Sequence, residues 1–239
     1  MIHNKSQQLS LVISVKSGGY RMDDPLNDIA TNDYAKIRLR VIVRDKYKCQ
    51  FCAFKSIPDR KAATGSLLAS GYLEVHHLDD NHHNNQLSNL ITICPFCHAI
   101  FHLGFSAHKD KVALIYFPWL RQSNINLLTL CLGVAISRKG KYSEDAIVLL
   151  KWLESHDKAL KLNYGEALSD PVKLSTSLRT LAHREPLLYK KRSKALADFR
   201  VVPKINKYKT QIQYWSKTCV LENTWQRIYT QWQKDMMKM

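Results

Sequence analysis

The sequence predicts a mixed α+β fold: a front half of short strands and a short helix built around a metal, followed by a packed helical half. Three observations lead there. Two Cys-x-x-Cys pairs, Cys49/Cys52 and Cys94/Cys97, bracket short β-rich runs. From about Ser123 onward the apolar residues recur at helical spacing. The 239 residues, 45% of them hydrophobic, are enough for a real core. Residues 1–120 are expected to form the zinc-knuckle module with an N-terminal strand and helix, and residues 121–239 a helical region with a basic segment and an amphipathic tail. The boundary near Trp119–Ser123 has no linker composition, so the two parts are expected to pack together.

Taken in order, Leu9–Val15 (LSLVISV) reads as a strand and Gly18-Gly19 breaks it. Asn32 or Asp33 can cap a helix running to about Arg44, with Ile37, Val41 and Ile42 on its apolar side. Leu73–His77 and Leu90–Ile93 read as strands, and Pro95 opens a short helix. Val112–Phe117 is a further strand. Ser123 is expected to cap a helix ending near Gly140. Ser143 is expected to cap the next, which carries Ile147, Leu150 and Leu153 on one face. Asp170-Pro171 begins another. Leu221, Trp225, Ile228 and Trp232, with Met236, share a helical face in the tail. That stripe must be covered, either by the chain's own helical half or by a groove on a partner.

The formal net charge is +16. Such a field attracts polyanions: nucleic acid, an acidic membrane surface or an acidic protein segment. The basic run from Tyr189 to Lys217 holds Lys190, Lys191, Arg192, Lys194, Arg200, Lys204, Lys207 and Lys209, with Tyr189, Tyr208, Tyr214 and Trp215 interleaved. Cations with aromatics suit single-stranded nucleic acid; they also suit an acidic protein tail or the inner leaflet of a membrane. The opening MIHNKSQQLS lacks the design of a secretory signal. The longest apolar run, Ile125–Ile136, is too short to span a bilayer and carries Asn126 and Thr129. These features lead to an expectation of a cytoplasmic protein without a transmembrane segment.

The two Cys-x-x-Cys turns each point two sulfurs at one ion. Four thiolates satisfy zinc tetrahedrally and leave no open position, so a structural Zn²⁺ site on Cys49, Cys52, Cys94 and Cys97 is expected. Cys131 reads as core filling, and Cys219 has no evident partner.

Between the cysteine pairs stand Val75-His76-His77 and Asn89-Leu90; His98 follows Cys97, and His102 comes four residues later. Here the chain resembles the HNH (ββα-metal) endonucleases, which implies an HNH-like ββα zinc module. The resemblance implies that His76 is a metal ligand and His77 the general base. His98 and His102, four apart on a helix, would reach the same ion, and Asn89 would hold the loop or join the metal's shell. Imidazoles favour zinc or manganese at such a second divalent site. His82 and His83, in a polar loop, read as solvent residues.

A longer resemblance runs from about Ile37 to Trp215. The stretches VIVRDKYKCQFCAF, NNQLSNLITICPFC, ALIYFPWL and LNYGEALSDP resemble the IcmJ/DotN family of type IVB secretion and conjugation systems. It implies a zinc-binding accessory subunit docked to a DotL-like coupling ATPase and its DotM-like membrane partner, at the cytoplasmic face of the inner membrane. It also implies degraded nuclease histidines. This chain departs in carrying His76, His77 and His98, and in a tail, Cys219–Met239, that extends past the family's usual end. Two other functions stand beside this one: an active HNH endonuclease cutting DNA, and a non-catalytic nucleic-acid-binding module.

Overall fold

The computed structural model describes residues 11–15, 32–81, 83–219, 221 and 224–237. Helix α1 (Asn32–Arg44) packs on an antiparallel pair, β1 (Glu74–His77) and β2 (Leu90–Ile93), in which Glu74 lies opposite Ile93 and His77 opposite Leu90. Helices α2 (Pro95–Phe101) and α3 (Leu103–His108) follow, with Pro95 at the start of α2. Strand β3 (Val112–Tyr116) leads to α4 (Gln122–Arg138), α5 (Ser143–Glu154), α6 (Asp157–Ser169), α7 (Pro171–Arg184) and the short α8 (Pro186–Lys190) and α9 (Arg192–Ala195). Strand β4 (Phe199–Pro203), α10 (Lys209–Thr218) and α11 (Thr224–Met236) complete the chain.

The front and back of the chain share one core. Val41, Ile42, Phe54, Leu73 and Phe96 from the front pack with Leu130, Val134, Ile212 and Trp215 from the back. Trp215 is fully buried, edge-on to Phe54, and donates from Nε1 to the Gly71 carbonyl at 3.0 Å. Helix α4 is apolar on nearly every side, as a helix inside a core must be. Gly133 lets α10 approach it: a β-carbon there would lie 2.9 Å from Ile212 Cδ1.

Several expectations are corrected. Residues 121–239 are not wholly helical. Strand β4, inside the basic run, pairs antiparallel with β3, so this small sheet takes one strand from each side of residue 120. The cations that dominate the run obscured the alternation of Phe199, Val201 and Pro203. Leu11–Val15, the described part of the expected strand Leu9–Val15, has no strand partner among the described residues. Its Ser14 instead bonds the break between α2 and α3, accepting from Leu103 N and donating to the Ile100 carbonyl, each at 3.1 Å. Ser123 and Ser143 are not caps; Arg121 and Tyr142 hold those positions without a side-chain bond. Helix α4 ends at Arg138, near Gly140 as expected, with Lys139 turning left-handed; on the next helix Ile147 is exposed while Leu150 and Leu153 are buried. Asp170 does cap α7, accepting from Val172 N and Lys173 N. The side chains of Asn32 and Asp33 lie outside the described residues.

Candidate metal centres

The four cysteines come together from two local turns. Cys49–Cys52 closes through Cys49 N to the Phe54 carbonyl (2.8 Å) and Ala53 N to the Cys49 carbonyl (3.0 Å), with Ala53 at positive φ. Cys94 is the N-cap of α2 and accepts from Cys97 N. All four are buried, and their sulfurs lie within 4.8 Å of one another. Cys52 and Cys94 Sγ are 3.7 Å apart. Four thiolates on a tetrahedral zinc, with bonds of about 2.3 Å, would sit about 3.8 Å apart. The cage therefore fits zinc by size and by donor chemistry.

Burial pushes the Cys94 and Cys97 thiols well above their usual range. Burial also acts upward on Cys49, but hydrogen bonds from Cys52, Cys94 and Cys97 outweigh it and hold that thiol well below its usual value. Asn126 on α4, fully buried, donates from Nδ2 to Cys97 Sγ at 3.3 Å and accepts from Gln122 Nε2 at 2.8 Å. Gln122 in turn donates to the Val201 carbonyl and accepts from Val201 N. A polar ladder thus runs from β4 through α4 to the cysteine cage.

The second cluster is His76, His98 and His102, whose ring nitrogens also lie within 4.8 Å. His98 Nε2 and His102 Nε2 are 3.0 Å apart. Imidazoles on one tetrahedral ion, with bonds of about 2.0–2.1 Å, would place nitrogens about 3.3 Å apart. His98 donates from Nδ1 to Glu74 Oε2 at 2.6 Å, which leaves the Nε2 lone pair facing the cluster. Burial would raise the Glu74 carboxyl. The bond from His98 and the charges of Arg38 and Lys111 outweigh it, so its affinity for a proton is below that of an ordinary glutamate. His76 stacks on Phe101 at 4.3 Å. His98 and His102 are only half-buried, so an ion held by these three imidazoles would keep a position that solvent can reach.

Strand alternation separates the histidine pair. His76 faces α2; His77 faces α1, stacked over Tyr34 at 6.4 Å and bonded from Nε2 to Asn85 Oδ1 at 2.9 Å. His77 does not join the three-histidine cluster. Asn89 ties down the loop that follows β1. Its Oδ1 accepts from Asp79 N (3.1 Å), and its Nδ2 donates to Asp79 Oδ1 (2.8 Å) and the Asn84 carbonyl (2.9 Å). Hydrogen bonds from the Asn84 side chain, the Asn81 backbone and Asn89 bring the Asp79 carboxyl down to about 2. His83 is exposed, and His82 lies outside the described residues.

The basic run divides by contact. Arg192 donates to Ile13 O and Ser14 Oγ, and Arg200 to the carbonyls of Leu120, Ala197, Phe199 and Pro118. Lys204 and Lys207 both pair with Asp110. Lys190, Lys191, Lys194 and Lys209 are exposed. The aromatics expected as a stacking platform are turned inward: Trp215 and Tyr208 are core, Tyr189 bonds the backbone of Val15, and Tyr214 donates to the Ile57 carbonyl. In the tail, Trp232 packs on Phe117 and Trp152 at 5.6 Å each, so α11 lies against its own chain. The Trp225 side chain lies outside the described residues. No described helix is long and apolar enough to cross a membrane.

Sequence reasoning passed over Glu74, Asp79, Asn85 and Asn126. Glu74 was within reach: two residues before His76 on a strand, it must share that face. Asn126 carried no such local signal.

No family model matches the chain. It is 27% identical, over 186 residues, to the type 4 apparatus protein DotN of Legionella pneumophila subsp. pneumophila, a match covering 77% of this chain and 79% of that protein. It is 37% identical, over 54 residues, to the H-N-H endonuclease F-TflIV of Escherichia phage T5, covering 23% of this chain and about a fifth (20%) of that enzyme. Over most of its length, then, the chain is similar to DotN, and over a short segment it is also similar to an H-N-H endonuclease.

Proposed function

We propose that this chain is a zinc-braced accessory subunit of a type IV secretion apparatus, docking to a DotL-like coupling ATPase and its DotM-like membrane partner on the cytoplasmic side. The observation that carries the reading is the extent of the DotN match. A stretch of 186 residues cannot fit within either half of this chain, so the similarity spans both the zinc module and the helical half. The shared core supports the same reading, because a docking surface that uses both halves needs them held as one body. Cys49, Cys52, Cys94 and Cys97 would hold the zinc; its role is to close the frame. The test is gentle affinity purification of the full chain from its native host, followed by mass spectrometry. Co-elution of a coupling ATPase and a membrane partner in fixed ratio is expected. A chain that elutes alone, folded and zinc-loaded, would sink the reading.

The three-histidine cluster favours a second reading, a metal-dependent nuclease acting on DNA. His76, His98 and His102 would hold a divalent transition ion. When bound, that ion supplies a Lewis acid for a phosphate oxygen. The chain's own groups would do the rest. Glu74 keeps His98 in the ligating tautomer, and Asn89 holds the loop after β1. His77, bonded from Nε2 to Asn85 Oδ1, would be the group that takes a proton from water. Purified protein with manganese should nick plasmid DNA. His77→Ala should lower the rate by roughly 10²–10⁴-fold while zinc stays bound. Equal cutting by both proteins would remove His77 from the chemistry.

A further inference from the structure

The corner formed by the end of α7, α8 and α9 has two faces of opposite character. Inward, Tyr189 Oη accepts from Val15 N (3.0 Å) and donates to the Val15 carbonyl (2.9 Å). Arg192 lies over the Tyr189 ring at 4.0 Å and bonds Ile13 O and Ser14 Oγ. These contacts fix the corner to the body of the protein. Outward, Leu187 is 75% exposed and Leu188 52%. Arg184, Lys190, Lys191 and Lys194 are exposed around them, and the one acid from Arg184 to Lys194 is Glu185. A corner pinned by two residues and presenting two leucines to water, within a rim of cations, is costly unless something apolar and anionic meets it.

We propose that this corner seats directly on an anionic phospholipid surface. Leu187 and Leu188 enter the boundary between headgroups and acyl chains, and Arg184, Lys190, Lys191 and Lys194 meet the lipid phosphates. Nucleic acid would reward the cations but not the leucines, and the aromatic that could stack, Tyr189, is bound inward. An acidic peptide would need a cleft to cover the leucines, whereas Leu187 projects. The proposal goes beyond attachment through partner proteins, since the contact is with lipid itself.

The test is flotation of the full-length, zinc-loaded protein with vesicles of phosphatidylcholine alone and vesicles also containing phosphatidylglycerol. Binding is expected to the second only. Lys190→Ala with Lys191→Ala should weaken it about 25-fold, at about fivefold per cation. Leu187→Ser, at a position too exposed to affect folding, should weaken it about tenfold with an unchanged melting temperature. A matched pair on other helices, Lys151→Ala with Lys158→Ala, should change it by less than about twofold, because screening confines each charge to about a Debye length. Absence of flotation with either vesicle overturns the proposal. So does an equal loss from the control pair, or binding indifferent to Leu187→Ser. Loss of duplex DNA binding by the corner variants, without any vesicle binding, would assign the surface to nucleic acid instead.

Discussion

The two clusters on this frame differ in access, and access decides what each can do. The cysteine cage is buried, has four soft ligands, and is braced by Asn126 from the far half of the chain. The histidine cluster has three imidazoles, two of them half-buried, and is braced by Glu74 from β1. A closed thiolate site can only hold structure together. An open imidazole site can exchange a ligand with solvent, and its loss need not unfold the protein. The comparison teaches that one short stretch, β1 to α3, can supply two cysteines to a closed cage and three imidazoles to a more open cluster.

The largest expected effect comes from breaking the cage. Cys94→Ser should remove zinc, detected by elemental analysis, and unfold the front of the chain, since apparent zinc-binding energies in small modules are about 10–16 kcal/mol. A folded, zinc-free variant would show that the cage does not brace the fold.

A smaller loss is expected from its brace. Asn126→Leu leaves Gln122 Nε2 without one of its acceptors and Cys97 without a donor, which should cost about 2–3 kcal/mol. That corresponds to a fall of roughly 4–12 °C in melting temperature, with zinc retained. Unchanged melting would mean the ladder from β4 to Cys97 contributes nothing net.

The histidine cluster should respond differently. Glu74→Gln should weaken divalent-metal binding there by about 10–100-fold, measured by competition titration, while the zinc content of the cage stays constant. Loss of zinc from both sites would erase the distinction between them.

The smallest effect concerns the loop beside the open site. The folded Asp79 carboxyl lies below its unfolded value, so its contribution to stability is present above the unfolded value and lost as pH falls toward about 2. The difference in melting temperature between wild type and Asp79→Asn should therefore shrink as pH is lowered through that window. A difference independent of pH would mean that the amide contacts, not the charge, hold the loop.

Much of this was legible from residue order because it is local. Two Cys-x-x-Cys spacings define two chelating turns whatever surrounds them. Leu90–Ile93 and the proline-led α2 follow from propensity and φ restriction, and Asp170-Pro171 from capping chemistry. The serines at 123 and 143 misled for a related reason: a cap depends on where packing begins the helix, not on the residue alone. Strand β4 was hidden because the cations of the run around it look like a solvated surface until β3 supplies a partner.

The sequence by itself determined which four cysteines form the cage, the pairing of His98 with His102 one helical turn apart, and the amphipathic stripe of the tail. Each depends on spacings of a few residues, which backbone geometry converts directly into shared faces. Only the tertiary structure decided that Asn126 reaches Cys97, that Glu74 orients His98, that Trp215 fills the front core rather than a nucleic-acid platform, and that Trp232 closes on Phe117 and Trp152. Those contacts join residues far apart in the chain, and no local rule sets them. They depend on how buried surfaces fit once the helices and the two small sheets are packed together.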